Sequence, residues 1–97
     1  MASKRNENNG SIIDNRKRCH VCGRCSGLER HHAIHGNANR RLAEEDGLWL
    51  YLCSECHWKV HNQDHDLDLE LQQEAERAYL EEHTLKEWRE RYGKNYL

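Results

Sequence analysis

The stretch Leu52-Cys53-Ser54-Glu55-Cys56-His57-Trp58-Lys59-Val60-His61 decides how the rest of the chain is read. Its two cysteines, with two residues between them, can offer neighbouring thiolates to one tetrahedral cation. Its two histidines, four residues apart, project from one face if the segment is helical. Upstream, Cys19 and Cys22 repeat the cysteine spacing, with 30 residues between the pairs. Two such pairs close a tetrahedron, so Cys19, Cys22, Cys53 and Cys56 are expected to hold a structural zinc with no open position. Cys22 and Cys25 make a competing CxxC. Cys19 and Cys22 have the better claim, because Gly23 supplies the tight turn in which backbone amides curl toward a thiolate. Cys25 is then expected to be a spare, partly buried thiol.

Composition makes such a staple necessary. The chain has 97 residues, no Phe, one Met, and one third of its residues charged. A domain this small with so little apolar mass draws limited stability from a core, whereas cation binding adds directly to folding. Met1–Gly10 is polar and has no apolar h-region, and no apolar run approaches a membrane span, so neither a secretory signal nor a membrane protein is expected. An odd number of cysteines in CxxC pairs beside histidines fits metal binding in a reducing cytoplasm better than a disulfide framework. A zinc finger with two cysteines and two histidines needs about twelve residues between its pairs, but His57 directly follows Cys56. A zincin would need Glu where Trp58 stands, and a thioredoxin-like motif would need a βαβ context.

Charge is split along the chain. Residues 1–41 carry nine Lys or Arg against three Asp or Glu, and residues 42–97 carry six against fourteen. A basic front half suits phosphate contact, with Arg24, Arg30, Arg40 and Arg41 as the candidates and Lys59 a weaker one. The same residues can equally be solvated surface charge.

Secondary structure follows from the pattern. Residues 1–17 read as a flexible basic N-terminal arm and 18–97 as one domain. Leu28–Ile34 suits a short strand, Asn37–Asp46 a polar loop with one helical turn, and Leu48–Leu52 a buried strand. Ser54 is placed to cap a helix carrying Glu55 to His61. From Asp66 on, Leu67, Leu71, Ala75 and Ala78 or Tyr79 recur at helical spacing, as a face that packs on the zinc module. Thr84-Leu85-Lys86-Glu87 is a capping box that starts a second helix, ending at Gly93. Trp49, Trp58 and Trp88 are assigned to packing, and His20, His65 and His83 to the surface.

The histidines near the cysteines are harder to read as surface. His31 and His32 stand in tandem on the first expected strand, so they point to opposite faces unless the strand bends. One can ligate while the other faces a substrate. His57 and His61 can share a cation.

Residues 19–62 resemble the His-Asn-His (HNH) endonuclease superfamily. The matching pieces are the front CxxC, His31-His32-Ala33-Ile34, and the Leu52–His61 block. The tract HGNANRRL and the closing YGKNYL also resemble small proteins encoded by phages and prophages. That resemblance implies a small α+β, zinc-stabilised domain: a ββα-metal, treble-clef-like finger over 18–62, followed by two C-terminal helices over 66–97. It implies hydrolysis of DNA phosphodiester bonds in the cytoplasm of a bacterial host, leaving 5′-phosphate and 3′-hydroxyl ends. His31, His57 and His61 would bind one catalytic divalent cation (Mg2+, Mn2+, Ni2+ or Zn2+), and His32 would be the general base. His35 is a further candidate for a phosphate or metal contact. The family's middle Asn stands before the second strand, where this chain has Asp46-Gly47-Leu48; Asn37 or Asn39 is the available substitute. No small-molecule cofactor is implied, and the acidic rear helix leaves room for a homodimer. The alternative is a non-catalytic zinc-binding module that binds nucleic acid or a protein partner.

Overall fold

The computed structural model describes residues 10–97. Six elements follow in chain order: β1 (Leu28–His32), α1 (Asn37–Asp46), β2 (Trp49–Cys53), α2 (Ser54–Asn62), α3 (His65–Tyr79) and α4 (Leu85–Tyr92). The protein is a small α+β unit with one two-stranded antiparallel sheet. Leu28 pairs with Cys53, His31 with Leu50 and His32 with Trp49. That register brings the end of β2, where α2 begins, beside the start of β1. Among the described residues, no helix is long and apolar enough to cross a membrane.

Local chemistry explains most of the boundaries. Asp64 caps α3 by accepting from the Leu67 amide at 2.9 Å. At α4 the Thr84 hydroxyl accepts from the Glu87 amide at 3.1 Å, and the Glu87 carboxylate accepts from the Thr84 amide at 2.8 Å. This is the expected capping box, and the helix ends at Gly93, whose φ of 79° is left-handed.

Three expectations about local structure need correction. Asn37–Asp46 is a full helix rather than a loop with one turn. It lacks a side-chain cap, but Ala38 and the run from Arg40 to Glu45 are good helix formers, and burial of Ala43 with Leu42 beside it anchors the helix. Ser54 does not cap α2. Cys53 does, its sulfur accepting from the Cys56 amide. The segment from Gly10 to Lys17, expected as part of a free arm, is docked: the Ile12 amide donates to the Gly47 carbonyl at 2.9 Å and the Ser11 hydroxyl bonds the Trp49 carbonyl. Residues 1–9 of that arm lie outside the described residues.

Two apolar clusters support the fold. One joins Ile34, Leu48, Ala75, Tyr79, Trp88 and Tyr92, fixing the C-terminal helices against the loop after β1. The other joins Leu50, Leu52, Val60 and Leu71 to Cys19, Cys53 and Cys56. The stripe on α3 serves both, with Leu71 in the second cluster and Ala75 and Tyr79 in the first, and Ile13 packs against both. Trp49 and Trp88 are core as expected, but Trp58 is not: it is 55% exposed on the outer side of α2. Of the histidines assigned to the surface, His20 is half-buried between Asp14 at 2.7 Å and Glu74 at 3.1 Å. His83 stacks on Tyr79 with ring centroids 4.0 Å apart.

Candidate metal centres

The sulfurs of Cys19, Cys22, Cys53 and Cys56 all lie within 4.8 Å of one another. Two similar turns present them. In the first, the Cys22 amide points at the Cys19 sulfur at 3.5 Å and the Gly23 amide closes onto the Cys19 carbonyl at 2.9 Å. Gly23 has φ 83°, a conformation that a side chain would strain. In the second, the Cys56 amide points at the Cys53 sulfur, also at 3.5 Å. Zn–S bonds of about 2.3 Å put tetrahedral sulfurs about 3.8 Å apart. The Cys22–Cys53 sulfur separation is 3.7 Å. These residues therefore form a donor set that could hold a structural metal such as zinc.

Cys25 lies outside this set. Its sulfur is exposed rather than partly buried, and it donates to the Gly23 carbonyl at 3.7 Å.

The thiols are electrostatically uneven. Burial opposes ionisation of Cys19, but the amides of Cys22, Cys53 and Val21 outweigh it and lower its pKa to about 6. Burial, then hydrogen bonding among Cys53, Cys19 and Cys22, pushes the Cys56 thiol up. A cation reverses that second preference by replacing the protons.

One helical turn further on, a second group of donors converges. One ring nitrogen from each of His31, His57 and His61 lies within 4.8 Å of the others. His31 reaches inward from β1, and His57 and His61 stand one turn apart on α2. The ring centroids of His31 are 5.2 Å from His57 and 5.3 Å from His61. His31 is 1% exposed, and neither ring nitrogen has a hydrogen-bond partner. Burial, followed by the proximity of His57, His35 and His61, pushes its pKa down to about 3, which keeps the imidazole neutral at pH 7. Burial also lowers the pKa of His61.

Carboxylates orient these rings. An ionised carboxylate only accepts, so the 2.6 Å contact between His57 Nδ1 and Glu29 fixes the proton on Nδ1 and the lone pair on Nε2. That Nε2 faces His61 Nε2 at 3.1 Å. Zn–N bonds of about 2.0–2.1 Å put tetrahedral nitrogens about 3.3 Å apart, so the spacing fits a shared cation. A carboxylate behind a ligating imidazole is the usual support of such a site. The orphaned nitrogens of His31 and the neutral imidazoles together fit a transition metal.

His32 follows His31 at the end of β1 and meets α1 rather than α2. Its Nε2 lies 2.7 Å from the Glu44 carboxylate on α1. Glu44 must accept there, leaving the Nδ1 lone pair of His32 free. The same carboxylate is held by the Arg30 guanidinium, which stacks over Trp49 at 3.8 Å. His35 sits beside the cluster, its ring 5.4 Å from His61, and its Nε2 is held by Asp68 of α3 at 2.8 Å.

A pocket of about 410 Å3 opens over this group. His31, His32, His35, His57 and His61 all line it, together with Arg30 and Arg40. Arg24 is instead exposed at the first cysteine turn, 4.0 Å from Glu55, and neither it nor Arg41 lines the pocket. The side-chain amide of Asn39 donates to the His35 carbonyl at 2.9 Å. This local contact ties the first turn of α1 to the segment that follows His32.

Glu29, Glu44 and Asp68 were not foreseen as site residues. No local motif marks them, and only the strand register and the packing of α1 and α3 reveal whom they meet.

No protein-family model matches the chain, and neither curated proteins nor solved structures give a match.

Proposed function

We propose that the protein is a metal-dependent endonuclease of HNH type, hydrolysing DNA phosphodiester bonds on a ββα-metal, treble-clef-like finger. The observation that carries this reading is the convergence of His31, His57 and His61 on one side of β1, with His32, free at Nδ1, opening into the same pocket.

In this reading Cys19, Cys22, Cys53 and Cys56 hold structural zinc, and the three histidines hold a second divalent cation. That cation supplies Lewis-acid stabilisation of charge on the scissile phosphate and the leaving oxygen. The protein's own groups do the rest. His32 Nδ1 takes a proton from the attacking water, while Glu44 holds the ring by its Nε2–H and stabilises the imidazolium that forms. Arg30 holds the Glu44 carboxylate in place. General-base help of this kind contributes about 10²–10⁴ in rate. Asn39 fixes the chain between the base and the helix that carries Glu44. Arg30 and Arg40 are the cationic side chains at the pocket with reach to backbone phosphates.

The test is plasmid nicking by the zinc-loaded protein with added Mg2+, Mn2+, Ni2+ or Zn2+, repeated with His32→Ala. Cleavage by the parent and its loss in the variant are expected. No cleavage with any cation, or undiminished cleavage by the variant, would overturn the proposal.

A second reading, a non-catalytic zinc-binding module, draws support from the acidic residues that dominate after Leu42. Salt-dependent DNA binding without turnover, unaffected by joint loss of His31, His57 and His61, would favour it.

A further inference from the structure

Five imidazoles line the histidine pocket, and His35 is the one without a task so far. Its ring stands against two of the three that converge: the ring centres lie 5.7 Å from His31 and 5.4 Å from His61. An imidazole on zinc carries its ring centre about 3.2 Å from the cation, which puts tetrahedral pairs about 5.2 Å apart. The pairs among His31, His57 and His61, at 4.8, 5.2 and 5.3 Å, bracket that value. His35 misses it by at most about half an ångström. It therefore stands just outside the donors that already lie within 4.8 Å of one another. Its side chain is 38% exposed, so the core does not wedge the ring where it is.

The hydrogen bonds of His35 decide what it can meet. Asp68 of α3 holds its Nε2 at 2.8 Å. An ionised carboxylate only accepts, so the neutral ring carries its proton on Nε2 and a lone pair on Nδ1. This is the arrangement Glu29 imposes on His57, with the two ring nitrogens exchanged. A bare lone pair has nothing to donate to a phosphate oxygen, and a carboxylate behind the ring repels one. Both features suit a cation, and a carboxylate behind a ligating imidazole raises its basicity. The backbone is held as well. Ile34 is fully buried, and the His35 carbonyl accepts from the Asn39 side-chain amide at 2.9 Å.

We infer that His35 is a fourth ligand of the cation held by His31, His57 and His61, joining through Nδ1 with Asp68 behind it. This rests on the reading of the histidine cluster as a metal centre, and it takes His35 from the phosphate contacts to the cation. No carboxylate lines the pocket. Four imidazoles without an oxygen donor select a transition metal such as Zn2+, Co2+ or Ni2+ over Mg2+. They also close a tetrahedron, so a substrate oxygen has to enter as a fifth ligand or displace His35.

The test titrates Co2+ into protein already loaded with one equivalent of zinc, which fills the sulfur site, and follows the visible absorption of the cobalt. His35→Ala should weaken Co2+ binding by about tenfold or more, and free imidazole should recover part of the loss. Asp68→Asn should weaken it in the same direction by less. The melting temperature of the zinc-only protein should be the same in parent and His35→Ala. Mg2+ in large excess should leave the cobalt in place; its displacement would overturn the choice of metal. Unchanged Co2+ affinity in His35→Ala overturns the fourth ligand. So does a loss that accompanies a lower melting temperature and is not relieved by imidazole. A fall in oligonucleotide affinity with Co2+ affinity intact would return His35 to the phosphate. A parent that takes up no Co2+ beyond the sulfur site would remove the metal centre altogether. Failure of the endonuclease reading looks different: parent protein that nicks no plasmid with any cation while His35→Ala still weakens Co2+ binding.

Discussion

Glu44 on α1 accepts a hydrogen bond from Nε2 of His32 on β1 at 2.7 Å, across 12 residues of sequence. The contact occupies one ring nitrogen of His32, and in the proposed mechanism it would give α1 a role in orienting the base. Glu44→Ala should lower kcat for plasmid nicking by about 10–100-fold with little change in KM. Glu44→Gln should keep part of the activity, because its amide oxygen can still accept. Parental kcat in the alanine variant would remove Glu44 from the mechanism.

The four-sulfur cluster predicts dependence on metal for folding. Cys53 and Cys56 are buried in the same cluster as Leu50, Leu52 and Val60. Stripping zinc with a chelator should therefore collapse the helical circular dichroism signal and the tertiary packing together, and re-adding zinc should restore both. Cys56→Ser should do the same even in excess zinc. Cys25→Ser, outside the cluster, should bind as much zinc as the parent. A chelated protein that kept its full helical signal would count against the structural assignment.

Asp46, at the end of α1, receives both the Arg91 guanidinium and the Tyr92 hydroxyl of α4. This is the polar bolt between the C-terminal helix and the site-bearing half. Asp46→Ala takes the carboxylate away from the buried Tyr92 hydroxyl and leaves the Arg91 guanidinium with Glu45 alone, and should cost about 1–3 kcal/mol in urea unfolding. An effect under about 0.5 kcal/mol, the size of an ordinary surface change, would show the helix is held by packing alone.

The two helical tryptophans should respond in opposite ways. Trp88 is fully buried, stacked beside Tyr92 with its indole N–H donated to the Lys94 carbonyl at 2.8 Å. Trp88→Ala should cost about 3–5 kcal/mol. Trp58→Ala should stay within about 0.5 kcal/mol. Equal losses by denaturant titration would contradict the burial difference.

What the sequence disclosed, and what it withheld, divides along physical lines. The ends of α4 were readable to the residue, because a capping box and a left-handed glycine are local devices that need no neighbour. The four-cysteine cluster was readable because CxxC spacing is itself a geometric instruction. That His57 and His61 share a face was readable from their helical spacing, whereas the choice of His31 over His32 as their partner came from the family resemblance. By contrast, α1 exceeds the single turn expected of it: NANRRLAEED has no cap and little apolar content, which reads as loop, but its Ala, Arg, Leu and Glu residues are good helix formers and Ala43 and Leu42 give it an apolar anchor. Trp58 was misplaced because residue type, not its position on α2, guided the assignment. The carboxylates of Glu29, Glu44 and Asp68 resemble any solvated acid until the fold brings each to its imidazole.

Cys56 and His57 are consecutive residues, so a ligand of each candidate centre sits on adjoining positions of one short helix. The dependence this creates runs one way. Removing the imidazoles leaves the sulfur clamp and its core cluster untouched, whereas removing the clamp frees the very helix that aims two of the imidazoles. Loading should therefore be ordered, sulfur site first, and a cell short of zinc would silence the second centre however abundant its own cation.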